Sequence, residues 1–196
     1  MVTLTANSSV EDLYSCIKEN SMILQSFELS YFKNTPLHDA SLIGNIDLAM
    51  ELLTLKPSFA KMLNNDGYSP LHLAVENNQI ELALELIKFD PSLVRIHGKG
   101  GMTPLHLLVN KGYIDLLTEF LLACPESIRD VNVNGETALH ITVMNDRYEE
   151  LKVLRGWMQR MRKSDASSIE MQVLNKGDRG GNTALHLAAS KNNHQA

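Results

Sequence analysis

The sequence predicts an all-α protein built from stacked helix-turn-helix units, and two observations lead to this prediction. The first is a tetrapeptide of the form Thr/Ser-Pro/Ala-Leu-His, which occurs five times in the 196 residues. Its copies start at Thr35, Ser69, Thr103, Thr137 and Thr183, so the steps are 34, 34, 34 and 46 residues. The second is the apolar spacing after each copy, which has the i, i+3, i+4 pattern of one buried helical face. A fixed period of this length marks an array of repeats rather than a single globular core.

The second copy shows why each part of a unit is expected to fold. Asn65-Asp66-Gly67 predicts a turn, because glycine adopts positive φ without steric cost. Ser69 is placed to cap a helix whose first position is Pro70, where the missing N–H costs nothing. A second helix is predicted from Ile80 to Phe89, and the proline that follows ends it.

The breaks between paired helices follow the same period. Gly44 and Gly112 occupy the same slot of two different units, and Asn78 and Asp146 stand in that slot in two others. The sequence therefore predicts a break between the two helices of a unit at each of these positions.

The ends of the array are predicted from the period as well. Residues from Val10 to Phe27 are expected to form the second helix of a degenerate first unit that caps the N-terminal end. Met22, Met50 and Met62 are expected to fill the core. The predicted organisation is a capping half-repeat at 1–33, a repeat array at 34–190 with repeats starting near 34, 68, 102, 136 and 182, an insertion around 155–175, and a truncated tail at 191–196.

The fourth unit is 12 residues longer than the others, since its step is 46 rather than 34. The apolar spacing predicts that its second helix is extended, and the polar positions of that helix are basic. These positions are a candidate contact for anionic lipid headgroups or for an acidic partner. The alternative, a solvated helix face balanced by Glu149 and Glu150, is favoured. The basic residues are Arg155, Arg160, Arg162 and Lys163.

The tetrapeptide copies, the aligned turn glycines and the prolines that end the second helices resemble the ankyrin repeat over residues 34–190. The resemblance implies an ankyrin-repeat solenoid with β-hairpin-like fingers along one edge, in which neighbouring units complete each other's core. It also implies a non-catalytic scaffold for protein–protein interaction, with no cofactor.

The sequence also resembles a narrower group within the ankyrin-repeat proteins. The order Leu151-Lys-Val-Leu-Arg-Gly-Trp157, the expansion after it and the segment Gly181-Asn-Thr-Ala-Leu-His-Leu-Ala-Ala189 resemble plant ankyrin-repeat proteins that carry a C-terminal Pro-Gly-Gly membrane domain. In that family the ankyrin array is cytosolic, transmembrane helices anchor the protein in the plasma membrane or endomembranes, and members act in defence and stress signal transduction. These properties are expectations for this chain, which ends before any such membrane part.

Composition excludes several classes of function. The formal net charge is −5, which argues against a general nucleic-acid binder, although residues 146–196 carry +3 (9 basic minus 6 acidic). Cys16 and Cys124 do not make a disulfide framework, and no stretch approaches the roughly 20 apolar residues of a membrane span. The N-terminus lacks the pattern of a secretory signal peptide. An intracellular, cytosolic protein is therefore expected.

The evenly spaced histidines invite a metal or catalytic interpretation. Units stacked about 10 Å apart hold such histidines too far from one another to share a metal ion. The resemblance implies instead that they hydrogen bond within the scaffold. Ser69 is interpreted as a helix cap and Cys124 has no assigned base, so no enzyme activity, metal site or cofactor is predicted. The five histidines are His38, His72, His106, His140 and His186.

A partner is expected on the concave side, at the finger tips and the exposed side of the first helices. These positions vary between repeats while the scaffold positions stay constant, and a rigid surface binds with little ordering cost. Met102 and Met144 are expected to be exposed there. The oligomeric state stays open. The predicted protein-binding residues are Asn65, Asp66, Tyr68, Glu76, Asn77, Lys99, Met102, Asn110, Lys111, Val133, Asn134, Glu136, Met144, Asn145, Arg179 and Asn182.

Overall fold

The computed structural model describes residues 4–29, 34–161 and 167–191, and in these residues it contains helices and turns but no strand. The prediction of an all-α repeat fold is therefore confirmed. The chain divides into two compact units, Met1–Lys99 and Gly100–Ala196. None of the helices in the described ranges is both long and apolar enough to cross a bilayer.

The first unit consists of helices that pack in pairs. Helix α3 packs against α4, and α5 packs against α6, so that each pair is one helix-turn-helix repeat. Short 3₁₀ turns at Pro57–Lys61 and Pro91–Arg95 follow the second helix of each pair. The helices are α1 (Val10–Glu19), α2 (Ile23–Leu29), α3 (Pro36–Ile43), α4 (Ile46–Leu55), α5 (Pro70–Glu76) and α6 (Ile80–Phe89).

The second unit repeats the pattern and then departs from it. Helices α7 and α8 form one pair, and α9 and α10 form the next. Helix α10 has 14 residues, whereas α8 has 10. A further helix, α11, follows α10, and after it comes α12, the first helix of the last repeat. The helices are α7 (Pro104–Lys111), α8 (Ile114–Ala123), α9 (Ala138–Met144), α10 (Tyr148–Met161), α11 (Ser167–Leu174) and α12 (Ala184–Ser190).

The N-terminal region is where the sequence prediction is wrong. The expected single helix from Val10 to Phe27 is broken at Asn20, which has an extended backbone (φ −143°, ψ 96°) and ends α1. The Asn20 side chain accepts the N–H of Met22 at 3.0 Å, and such local bonds compete with the helical ladder. Met22 lies on this break with 57% of its surface exposed, so it does not fill the core.

The first helices all begin in the same way. In α3, the Thr35 hydroxyl accepts the backbone N–H of His38, and the His38 ring accepts the Thr35 backbone N–H at 3.1 Å. This reciprocal capping box satisfies two backbone donors that a helix start leaves without partners. The repeated tetrapeptide is thus a helix-start sequence, and it recurs at Ser69, Thr103, Thr137 and Thr183.

The reversals between paired helices confirm the slot identified in the sequence. Gly44 and Gly112 have φ of 82° and 87°, and the slot is left-handed also at Asn78 (φ 59°) and Asp146 (φ 55°). Asparagine and aspartate are the side chains that adopt this backbone at least cost. The reversal then lets Leu48 and Leu52 of α4 face α3, where both are fully buried.

Candidate functional site

The finger that precedes α5 is organised by one buried asparagine. The Asn64 side-chain oxygen accepts the N–H groups of Asp66 at 3.1 Å and of Tyr68 at 2.9 Å. Its backbone N–H donates to the Tyr68 carbonyl at 2.9 Å, which closes a hairpin-like turn without a strand. Gly67 stands at the tip with φ +78°, a conformation that favours glycine. The exposed tip is therefore held by a side chain that is itself 3% exposed.

Two fingers of the second unit use the same device. The Asn132 side-chain oxygen accepts the N–H groups of Asn134 and Glu136, at 2.9 Å and 3.0 Å. Asp178 accepts the Asn182 N–H at 2.8 Å, and this bond to the backbone lowers the pKa of the Asp178 carboxyl. The sequence prediction missed these organising residues, although an Asn or Asp 5 residues before Ser69, Thr137 and Thr183 was a visible signal.

The finger before α7 is built differently, because Gly98 occupies the organising position. A Cβ at Gly98 would stand 2.9 Å from Nε2 of His72 and 2.6 Å from the Gly67 carbonyl oxygen, so no side chain fits there. The chain instead makes a short 3₁₀ turn, Lys99–Gly101, with φ of +66° at Gly100. This finger has the same place in its repeat but lacks the side-chain brace.

Backbone hydrogen bonds join one finger to the next. In the first unit, the Lys99 N–H donates to the Gly67 carbonyl at 2.8 Å. In the second unit, Val133 donates to Gly100 at 3.0 Å and Arg179 donates to Asn134 at 2.8 Å. The finger tips of each unit therefore form a row that is fixed by main-chain groups, and their side chains are left for other contacts.

Most of the predicted binding residues are accessible on these fingers and first helices. Ten are exposed and six are half-buried. Met102 and Met144 were expected to be exposed and are half-buried; the Met102 sulfur accepts a hydrogen bond from the Asn132 side chain at 3.6 Å. The exposed ten are Asn65, Asp66, Asn77, Lys99, Asn110, Val133, Asn134, Asn145, Arg179 and Asn182, and the half-buried six are Tyr68, Glu76, Met102, Lys111, Glu136 and Met144.

Several of these side chains already have partners within the chain. Asn145 donates its amide to Asn110 at 3.1 Å, and Arg147 donates to the Asn110 carbonyl at 2.6 Å. A carboxylate oxygen of Glu136 accepts from the Asn132 amide at 2.6 Å. Groups engaged in this way offer less to a partner than Asp66 or Val133, which lie exposed at their tips.

The sequence prediction also overlooked an apolar part of this surface. Leu42 and Ile43 at the end of α3 are 43% and 40% exposed. They stand 34 residues before Glu76 and Asn77, which were included in the predicted set, so the period itself would have found them. In the first unit they add apolar side chains beside the polar Glu76 and Asn77 at the first-helix ends.

The repeated histidines tie first helices to fingers. His38 accepts at Nδ1 from the Thr35 backbone N–H, so its proton lies on Nε2, which donates to the carbonyls of Met62 (3.1 Å) and Tyr68 (3.0 Å). Burial lowers the pKa of His38 to about 4, because the charged form is poorly solvated there. Nε2 of His140 bonds the Asn182 carbonyl at 3.0 Å in the same manner. The predicted scaffold role is confirmed for His38 and His140.

Ser69 and His72 form a pair that resembles a nucleophile and its base. The Ser69 oxygen lies 2.7 Å from Nδ1 of His72. Both residues are 0% exposed, and the Ser69 oxygen also accepts the His72 backbone N–H, as in the other helix caps. A substrate has no access to this oxygen, so the pair serves the helix start.

Of the basic residues of the insertion, the structure describes Arg155 and Arg160, which point away from one another. Arg155 and Arg160 are both exposed on α10, and the Arg160 guanidinium lies 5.9 Å from the centre of the Trp157 ring. Five residues along a helix rotate the side chain by about 140° relative to the first. Arg162 and Lys163 lie outside the described residues.

Comparison with known proteins identifies the repeat. A family model described as "Ankyrin repeats (3 copies)" matches residues 5–95. Over 193 residues the chain is 72% identical to "Ankyrin repeat-containing protein BDA1" of Arabidopsis thaliana. The chain is an ankyrin-repeat protein. It resembles the plant members, and the match covers 98% of this chain but 45% of the relative, so this ankyrin array spans less than half of that protein's length.

A solved structure shows the same fold at low sequence similarity. A chain of the complex between the predatory endopeptidase Bd0816 of Bdellovibrio bacteriovorus and the immunity protein Bd3460 matches with a TM-score of 0.69. The identity is 23%, over 97% of this chain and 90% of that one. Ankyrin repeats mediate protein–protein interactions and are generally non-catalytic, which sets the class of function in which this array belongs.

Proposed function

We propose that this ankyrin array is a non-catalytic scaffold that binds a protein partner through its fingertip face, defined as the exposed finger tips and the exposed ends of the first helices. The observation that carries the proposal is the contrast between constant and variable positions. The capping residues of the first four tetrapeptide copies are Thr or Ser and are buried, whereas Asn65, Lys99, Val133 and Arg179, which share one repeat position, differ from one another and are exposed.

The construction of the fingers supports a binding role in energetic terms. Association costs free energy for every loop and side chain that must be ordered. The brace at Asn64 and the backbone bonds between tips order the fingers before a partner arrives. A partner with apolar side chains suits the exposed Leu42 and Ile43, and the mixed charges of the tips supply specificity.

We place this function in plant defence or stress signal transduction, in the cytosol. The support is the resemblance of Leu151–Trp157 and Gly181–Ala189 to plant ankyrin-repeat signalling proteins, together with the 72% identity to the Arabidopsis protein. In the longer members of that group the array is joined to a membrane domain. Because the proposed scaffold is non-catalytic, its part in signalling is to bring a protein partner to that membrane.

Binding of anionic lipid or an acidic partner through α10 is the weaker alternative. It requires Arg155 and Arg160 to face one surface, and their angular separation opposes this. Lys152, on the same helix, is engaged with Glu149 at 2.7 Å. If vesicles containing phosphatidylserine bind the protein tightly and in a salt-sensitive way, this alternative replaces the fingertip face as the main proposal.

The experiment uses capture of partners from plant extract with the wild-type array, followed by variants of each unit. D66K with K99E changes the first unit's tips, and V133D with R179E changes those of the second. We expect at least one pair to reduce capture of an identified partner by about tenfold, as loss of a hot spot does. Matched control changes are E81K and D115K, which alter exposed carboxylates on the second helices α6 and α8.

Thermal unfolding of each variant separates binding from stability, because exposed substitutions change stability by about 0.5 kcal/mol or less. Full capture by both tip pairs, with loss in the second-helix controls, would move the binding surface to the second helices. Turnover of a substrate in a broad hydrolase and transferase screen would overturn the non-catalytic assignment.

A further inference from the structure

Two neighbouring fingers of the second unit expose an arginine beside a valine. Arg179 is exposed, and Val133 has 50% of its surface exposed. The Arg179 N–H donates at 2.8 Å to the carbonyl of Asn134, the residue after Val133, so the two side chains project from main chain that is hydrogen bonded together. Gly180 and Gly181 follow Arg179 and add no side chain that would cover the guanidinium. This pair of exposed residues is called the valine–arginine tip below.

The carboxylates of the same two fingers are turned towards their own chain. Glu136 accepts from the side-chain amides of Asn132 at 2.6 Å and of Asn134 at 3.3 Å. Asp178 accepts the backbone N–H of Asn182 at 2.8 Å and lies 3.4 Å from its side-chain amide nitrogen. Oxygens that already accept hydrogen bonds from the chain have less capacity to accept them from a partner. The fingers thus keep their negative charges for their own bracing.

The first-helix ends of this unit are also balanced. Asp146, which follows α9, pairs with Lys191 at 3.2 Å. Asn110 and Asn145 are neutral and bond each other at 3.1 Å. Within the described residues of the second unit, the charge that the fingertip face presents at a finger tip is therefore positive, and Arg179 carries it.

The first unit presents a different pattern of charge at its tips. Asp66 and Lys99 are both exposed there, so charges of both signs meet a partner. Asn64 holds Asp66 by its backbone N–H, which leaves the Asp66 carboxylate at the surface. A carboxylate on a partner is repelled by Asp66 and attracted by Arg179. Charge complementarity therefore selects an acidic partner for the tips of the second unit in particular.

We propose that the valine–arginine tip binds an acidic peptide segment, with a partner carboxylate on the Arg179 guanidinium and a partner apolar side chain on Val133. This inference rests on the proposed function of the fingertip face and names the chemistry of its partner. A guanidinium offers two parallel N–H groups to a carboxylate, and arginine is enriched among residues that dominate binding energy. An apolar contact at Val133 removes water beside the pair, which strengthens it.

The spacing of the two partner side chains follows from the main chain that carries the tip. Because the two fingers are joined by a backbone hydrogen bond, Val133 and Arg179 lie within reach of one short segment. In an extended peptide, side chains two residues apart lie on the same side, about 7 Å from each other. The segment that fits therefore has an aspartate or glutamate two residues from an apolar residue.

The test measures binding of three synthetic peptides to the 196-residue protein by fluorescence anisotropy. The first is a fluorescein-labelled peptide of three Glu-Ser-Leu-Ser repeats. The second has lysine in place of each glutamate, and the third has serine in place of each leucine. We expect the first peptide to bind about tenfold more tightly than either analogue, because it alone supplies both the carboxylate and the apolar side chain.

Variants of the protein locate the binding site of the first peptide. R179E is expected to weaken binding about tenfold, because it sets carboxylates against each other. The matched control R160E makes the same change of charge on α10 and is expected to leave binding unchanged. R179K keeps the charge without the planar fork, so an intermediate loss is expected. V133D is expected to weaken binding and V133I to keep it, and thermal unfolding checks that each variant is folded.

Two results would overturn the acidic segment. One is equal or tighter binding of the lysine analogue, and the other is binding of the first peptide that R179E leaves unchanged. Either result leaves the scaffold function in place if D66K with K99E, or V133D with R179E, still reduces capture from plant extract. Failure of the scaffold function itself differs, because both pairs of variants would then keep full capture.

Discussion

The helix start at Thr35 and the helix start at Thr183 have nearly the same sequence and opposite surroundings. Both form the reciprocal capping box with a histidine three residues later. At the first, Leu37 and His38 are 0% exposed, whereas Leu185 at the second is 70% exposed. The tetrapeptide therefore specifies how a helix begins, and the segments that pack over it decide whether the helix is buried.

The largest effect that separates the two helix starts is expected from leucine truncation. L37A removes a fully buried side chain and is expected to lower the free energy of unfolding by about 2–5 kcal/mol. L185A in the same 196-residue chain is expected to cost about 0.5 kcal/mol or less. Urea denaturation measures both. Similar losses for the two variants would mean that Leu185 is covered in solution.

Acid is expected to distinguish the two starts through the buried histidine. His38 has a folded pKa of about 4 against an ordinary value of 6.5 for the unfolded chain, so between these values the unfolded chain binds more protons. Stability is therefore unaffected at pH 7, falls as the pH drops from 6.5 to 4, and loses about 3 kcal/mol in that window.

The variant H38Q removes this titration and is expected to show a shallower loss between pH 7 and pH 4 than the wild type. H186Q changes the exposed histidine of α12 and serves as the control. Hydrogen exchange of the α3 backbone amides at pH 7 and pH 4 measures the loss of stability around His38 directly. An unaltered profile in H38Q would assign the acid sensitivity to other groups.

The smallest effect is expected at the caps, where the two starts are locally alike. T35A and T183A each remove a side-chain acceptor for a helix N–H, and each is expected to cost about 1 kcal/mol. Circular dichroism with thermal unfolding measures the change. Replacement by serine, which stands at position 69, is the matched control. A much larger loss of stability in T35A than in T183A would show that burial of the Thr35 side chain stabilises the protein beyond its capping hydrogen bond.

The period in the sequence was enough to predict the paired helices, the caps and the breaks between helices, because each depends on residues close in the chain. The break at Asn20 was not predictable in this way, since it lies outside the regular array, where the Asn20 side chain bonds the Met22 N–H. The half-burial of Met102 depends on a distant contact with Asn132, which spacing alone does not show.

The candidate binding surface was predictable in its positions and less so in its chemistry. Alignment of the repeats found the finger tips, and the same alignment extended to the preceding repeat would have found Leu42 and Ile43. Some side chains are already hydrogen bonded within the chain, as Asn110 is with Asn145, and this depends on the distance between neighbouring repeats. Those distances come from packing and have no signature in a single sequence.

The hydrogen bonds that join one finger tip to the next use only main-chain atoms, as between Val133 and Gly100 and between Arg179 and Asn134. A bond of this kind survives the replacement of the side chain at Val133, Asn134 or Arg179, whereas Gly100 has a positive φ (+66°) that favours glycine. The tips are thus free to drift under mutation while the row keeps its geometry. Gene duplication followed by such drift can give descendants that recognise new proteins without a new fold.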